Sequence, residues 1–260
     1  KISQENAKNV LWPGLTRWFA KSSGTTQNTI KYIPVTSESL NQCHFKAGKD
    51  MLSIYLNNHP NSKILTGKSL MIGGSSKIKK NNKYYEGDLS AIIIKNLPIW
   101  VHLKRVPSIK TALMEDWEKK IDLIIEESIK QNITSISGVP SWTIFIMNQL
   151  IEKHNITYLN EIWPNLELYI HGGVNFENYR QSFSQNIINN HINYLEIYNA
   201  SEGFFGIQDN AKKSDLLLLI NHGVFYEFIP IYNGKEQQSK IIPLELVDVN
   251  TIYAIVITTN

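Results

Sequence analysis

Apolar residues follow two rhythms along this chain, and the switch between them marks its elements. Short unbroken runs bounded by Gly, Asn or Ser, such as Ser69 to Gly74 and Ala91 to Lys95, predict buried strands. From Leu113 to Ile129 the spacing changes. Leu113, Trp117, Ile121, Ile124, Ile125 and Ile129 recur every three or four residues among charged ones, which predicts an amphipathic helix with a core-facing stripe. Ile133 to Ile136, then Ser137 to Trp142, then Ile144 to Ile151 predict strand, tight turn and helix, with Pro140 near the first helical turn where its missing N–H costs least. Leu166 to Ile170 reads as a strand running into His171-Gly172-Gly173-Val174, and Tyr194 to Tyr198 as a strand running into Ser201-Glu202. Strands that alternate with helices and end in Gly/Ser-rich turns predict an α/β fold with a mixed or parallel sheet, its three strand ends facing one cleft. After residue 215 the helical rhythm is gone. Asp215 to Ile220, Gly223 to Pro230 and Ile241 to Val249 read as strands, and Ile252 to Ile257 as a core strand, so residues 216–260 form a β-rich, antiparallel or barrel-like section beside the α/β region of 1–215.

Composition narrows the class. With 42% hydrophobic and 19% charged residues over 260 positions, the chain is globular and buries roughly 70–75% of its unfolded surface. A net charge of +3, with Lys and Arg evenly spread, argues against a nucleic-acid partner, and Lys77-Ile78-Lys79-Lys80 reads as a solvated loop. The longest apolar passage, Leu216 to Tyr232, is broken by Asn221, His222, Gly223, Glu227 and Pro230, which excludes a spanning helix and a membrane partner. A single Cys43 leaves no intrachain disulfide or cysteine metal site and favours a reducing, cytoplasmic compartment. Since the chain opens at Lys1 and stops after an apolar run, material is expected beyond both ends.

Candidate chemistry is concentrated in two places. Ser22-Ser23-Gly24-Thr25-Thr26 packs hydroxyl pairs around a glycine, a composition that can wrap a polyphosphate or simply form a loop. Tyr198-Asn199-Ala200-Ser201-Glu202-Gly203 follows the last α/β strand, where Ser201-Glu202 could equally start a helix and satisfy its free amides. Other motifs fail. Gly67-Lys68-Ser69 resembles a P-loop ending, but Ser62 stands where glycine is required. None of the seven histidines has zinc-hydrolase spacing, and Ser141 lacks the second glycine of a nucleophile elbow.

Phe19 to Thr26 with Lys31-Tyr32-Ile33-Pro34-Val35, Trp163-Pro164-Asn165, His171 to Val174, Tyr198 to Gly206 and Phe225 to Pro230 together resemble the auxin-responsive acyl acid-amido synthetases, relatives of firefly luciferase and the acyl-CoA ligases. The resemblance implies the N-terminal domain of an adenylate-forming enzyme, which adenylates a small carboxylic acid with ATP and Mg²⁺ and then passes the acyl group to an amino acid. It implies that Ser22, Ser23, Thr25 and Thr26 surround the ATP phosphates, that Gly24 allows their approach, that Ser201 contacts the α-phosphate and that Glu202 holds Mg²⁺. Tyr198, Ala200 and Gly172-Gly173-Val174 fall to the nucleotide and acyl pocket, and Val139 and Trp142 to the acid, although a buried Trp142 would be ordinary core. Two departures count against full activity. Gln27-Asn28-Thr29-Ile30 lacks the further glycine common in the superfamily, and the ribose-binding Tyr-Arg-x-Gly-Asp motif and the mobile C-terminal domain are absent through Asn260. A CoA ligase and a non-catalytic nucleotide or acyl-acid binding module stand as alternatives.

Overall fold

The computed structural model describes residues 8–9, 12–23, 30–74, 77–81, 83–187, 192–237 and 240–259. In chain order the elements begin with β1 (Trp18–Ser23), β2 (Ile30–Val35), a π-helix over Ser39–Phe45, α1 (Lys46–Asn58), β3 (Lys68–Ile72), β4 (Lys79–Asn81), β5 (Tyr84–Gly87) and α2 (Leu89–Asn96). Next come α3 (Ile99–Leu103), β6 (Arg105–Val106), α4 (Ile109–Ala112), α5 (Trp117–Ser128), β7 (Ile133–Gly138), α6 (Pro140–His154), β8 (Leu168–Gly172) and α7 (Glu177–Gln185). The remainder is β9 (Asn193–Ala200), β10 (Gly203–Ile207), β11 (Leu217–Leu218), β12 (Val224–Tyr232), β13 (Lys235–Glu236), β14 (Ile242–Pro243) and β15 (Tyr253–Thr259).

Seven strands form the main sheet in the order β11-β10-β9-β8-β7-β3-β6. From β6 across to β9 the neighbours are parallel, and β10 and β11 close it antiparallel. Alternating residues of β8 show how both faces are covered. Tyr169 packs with Ile124, Ile146, Met147 and Phe183 beneath α5, α6 and α7, while Leu168 and Ile170 pack with Ala47 and Tyr55 of α1 and with Val224, Tyr226 and Phe228 of β12. Those three residues recur with period two, and so β12 turns one face to the core. It pairs antiparallel with β13, β14 and β15. A further four-stranded sheet, β2-β1-β5-β4, lies against α2 through Ala20, Val35, Leu40, Leu89 and Ile92.

The fold is the mixed α/β class the pattern predicts, with local corrections. Ala91 to Lys95 is helical, inside α2, not a strand. A five-residue apolar run carries no period long enough to separate the two states, and here Asp88 is the N-cap of the helix while Leu89 and Ile92, three apart, reach the small sheet. Ile252 to Ile257 overlaps β15, but none of β15 is buried and Ile255 is 51% exposed, so it is a half-covered strand and not core. Ile241 to Val249 yields only the two residues of β14 and a 3₁₀ turn over Leu244–Leu246. The basic stretch at Lys77 to Lys80 is exposed as expected, yet Lys79 and Lys80 belong to β4.

Candidate functional site at the strand ends

Parallel pairing of β7, β8 and β9 aligns their carboxyl ends on one edge of the sheet. Val139 follows β7 as the N-cap of α6, Gly172 ends β8 and leads into Gly173 and Val174, and Tyr198 and Ala200 close β9. The three ends are therefore neighbours, as the sequence pattern predicts. Their glycines differ in purpose. A methyl group on Gly172 would stand 2.2 Å from the Ile197 carbonyl oxygen of β9, so close strand packing, not a bound base, requires glycine there. Gly173 has φ +82° with open space around it, a left-handed turn that swings the chain outward at Val174.

Ser201 and Glu202 are the two turn residues between β9 and β10, whose flanking pair is Ala200 and Gly203. They start no helix. Both are half-buried, and among the described residues no hydrogen bond or ion pair engages the Glu202 carboxylate. Tyr198 stays 52% exposed, its ring edge-on to Phe205 at 5.3 Å. On the small sheet β1 and β2 pair antiparallel, Ser22 opposite Lys31 and Ser23 opposite Ile30. Gly24, Thr25 and Thr26 lie outside the described residues. The π-helix links the two hairpins: Leu40 joins the cluster of Ala20 and Val35, and Cys43 joins that of Phe204 and Phe205.

On the α6 side, Val139, Trp142 and Phe145 are all exposed, and the Trp142 ring meets Trp117 edge-on at 4.4 Å. Trp142, at 42% exposure, is thus a surface aromatic at the strand-end edge and not core. Below it Lys120 is buried, its ammonium 5.4 Å from the Trp117 ring and donating to the Gly74 carbonyl at 3.3 Å. Burial pushes its pKa down, against an opposing pull from Asp88. His171, at the end of β8, stacks on Phe176 at 4.2 Å, and burial together with the Arg180 charge pushes its imidazole down to about 4, so it is neutral at pH 7.

The GH3 family N-terminal domain matches residues 1–192, and the GH3 family central domain matches residues 217–260. The chain belongs to the GH3 family. Among solved structures this GH3 chain is similar to a "GH3.15 acyl acid amido synthetase" (16% identity, TM-score 0.71) and to "AtGH3.15 acyl acid amido synthetase in complex with 2,4-DB" (15% identity, TM-score 0.73). Each match covers 95% of this chain and 50% or 51% of the other, so the chain spans about half the length of the synthetases it matches. At that identity the likeness concerns the fold. No curated protein matches the chain by sequence.

Two residues near the GH3 strand ends escape the sequence reading. Lys120 sits on the buried face of α5 with Ile121, Ile124 and Ile125, and its signal is a cation on an otherwise apolar helical stripe. His44, at 5% exposure, lies on the inner side of the π-helix, a conformation that residues 39–45 do not announce. None of the described helices is long and apolar enough to cross a membrane.

Proposed function

We propose that this chain carries the nucleotide- and acid-binding part of an ATP- and Mg²⁺-dependent acyl acid-amido synthetase working in the cytoplasm. The observation that supports it most is the β9–β10 turn, which sets a hydroxyl and a carboxylate unengaged by the described residues side by side at the carboxyl edge of the parallel strands. On this reading the substrate carboxylate attacks the α-phosphorus of ATP, an acyl–oxygen–phosphorus bond forms, and the bond to the β-phosphate oxygen breaks to release pyrophosphate. The amino group of an amino acid then attacks the acyl carbon, a C–N bond forms, AMP departs and the amine proton is lost to solvent.

Each residue has a part in this proposal. The Ser201 hydroxyl donates to an α-phosphate oxygen as charge builds there, a contact that gains strength in a site with little water. Ser22, Ser23, Thr25 and Thr26 donate to the β- and γ-phosphates around Gly24. The Tyr198 ring and the Gly172-Gly173-Val174 turn flank the adenine, Ala200 leaves room beside it, and Val139 and Trp142 wall the acid. Among the described residues no three His, Cys, Asp or Glu side chains converge to cage a metal. One free carboxylate beside a triphosphate suits Mg²⁺, which keeps its waters and takes one or two protein oxygens plus phosphates, so Glu202 is the residue that would hold it. Bound there, the ion would neutralise triphosphate charge.

Acid-dependent exchange of labelled pyrophosphate into ATP by the full-length protein tests the reading. Exchange that requires a carboxylic acid, and that falls at least 100-fold in Glu202→Gln, supports it; a folded full-length protein with no exchange for any of a panel of aryl and alkyl acids refutes it.

A further inference from the structure

Between Asp50 and Glu115 the chain carries nine lysines and one arginine against two carboxylates, Glu86 and Asp88, although its overall net charge is only +3. Glu86 is buried and engaged by Lys21 at 3.0 Å. Leu89 to Met114 holds no carboxylate at all, and within it lies α3, where Ile99 is 82%, Trp100 57% and Leu103 69% exposed. Positions 99, 100 and 103 share one side of a helix, so the three form a patch and not scattered apolar residues. Leu65, also exposed, adjoins them: its carbonyl accepts from the Lys104 ammonium at 3.0 Å, and the Lys104 carbonyl accepts from the Ser69 N–H at 2.9 Å, which sets the turn before β3 beside the turn before β6. Exposed lysines frame the patch. Lys95 lies in the last turn of α2, four residues before Ile99; Lys104 follows Leu103; Lys63 precedes the Leu65 turn. Among the described residues none of these three lysines is in an ion pair. Two carboxylates reach the neighbouring turns, and both are already engaged: Glu127 accepts from Ser108 and Thr111, Glu167 from the Lys63 N–H and the Tyr55 hydroxyl.

We infer that α3 and the Leu65 turn form a docking face for an anionic phospholipid surface. Charge decides the partner. The core of a protein–protein interface is depleted of lysine, and a nucleic acid could stack on Trp100 but would gain nothing from Ile99 and Leu103. An anionic bilayer uses both parts: aliphatic side chains enter the boundary of the acyl chains, an indole settles at headgroup level, and lysines meet the lipid charge. None of the described helices is long and apolar enough to cross a bilayer. The want of a spanning segment, on which the expectation of no membrane partner rests, has no bearing on contact with a membrane surface. The face lies at the amino ends of β3 and β6, whereas the strand-end residues lie at the carboxyl ends of β7, β8 and β9, and all five strands run parallel. Docking therefore leaves the strand-end edge turned away from the lipid.

Sedimentation of the full-length protein with vesicles tests this, one set of pure phosphatidylcholine and one of equal parts phosphatidylcholine and phosphatidylserine, with thermal midpoints and oligomeric state measured alongside. The wild type is expected to bind the phosphatidylserine vesicles at least tenfold more tightly than the neutral ones, and less tightly as salt is raised. The double variant Trp100→Ser with Leu103→Ser, altered only at exposed positions, is expected to melt as the wild type does and to lose at least tenfold in affinity. Lys95→Gln and Lys104→Gln are each expected to lose about fivefold on the anionic vesicles. A folded wild type that binds neither vesicle, binds both equally, or binds no better than the double variant overturns the inference. A dimer that the double variant splits, with no vesicle binding, assigns the face to a second copy of the chain and overturns it too.

Discussion

The main parallel sheet and the β12–β15 sheet are built from similar apolar residues but are covered differently. Strands β7 and β8 have cover on both faces, and around them Trp163, Ile133, Ile136, Leu168 and Tyr169 are entirely buried. In the second sheet Val224, Tyr226 and Phe228 face the core while Phe225 is 61% and Ile255 51% exposed. Stability is therefore concentrated in the first sheet, which holds the strand ends in place, and the second adds one buried face. The candidate strand-end residues follow strands of the doubly covered sheet.

The largest effect should come from the doubly covered core. Trp163→Ala removes a fully buried indole that also donates to the Ser128 carbonyl at 3.1 Å, and should lose about 3–5 kcal/mol in urea titration. Ile255→Ala, on the open face of β15, should lose less than about 1 kcal/mol by the same measure. Equal losses would contradict the contrast.

Acid comes next. Burial holds His44 and His171 down to about 4, whereas an unfolded histidine titrates near 6.5. The unfolded chain thus takes up protons that the folded chain refuses. Stability is full above about pH 6.5, falls as pH drops toward 4, and levels off below, with up to ~3 kcal/mol at stake per histidine. The urea midpoint followed from pH 7 to 4 should show this slope, and His171→Leu should flatten it; an unchanged slope would mean that His171 is protonated while folded.

Smaller effects separate the two glycines of the β8 end. Gly172→Ala forces a methyl against the Ile197 carbonyl and should cost about 1–3 kcal/mol, and any other residue in place of the glycine meets the same clash. Gly173→Ala meets open space and suffers only from its positive φ, about 1–2 kcal/mol, most of which Gly173→Asn should restore.

Much of this was readable from the residues alone, where the physics is local. The 3.6-residue stripe of α5, Pro140 at the start of α6 and the Gly-bounded runs of β3, β7 and β8 each specify their own element. Coverage is not local. Ala91 to Lys95 becomes helix because of what it packs on, β15 is half-exposed because nothing in the described chain covers its outer side, and the exposed Trp142 meets Trp117, 25 positions away, edge-on. The strand-end residues were legible because Ser201-Glu202 and His171 to Val174 punctuate strands. That Gly172 answers to Ile197 and that Cys43 meets Phe204 of the β9–β10 hairpin depend on neighbours 25 and 161 positions away, which no spacing reveals.

Calorimetric titration of this chain with ATP, with and without Mg²⁺ and alongside Glu202→Gln, is the most direct test of a nucleotide site at the β9–β10 turn. Magnesium-dependent binding in the wild type, weakened by roughly 1.5–3 kcal/mol in the variant, is the predicted result. Binding that Glu202→Gln leaves untouched, or a well-folded wild-type chain that binds no ATP, would contradict it.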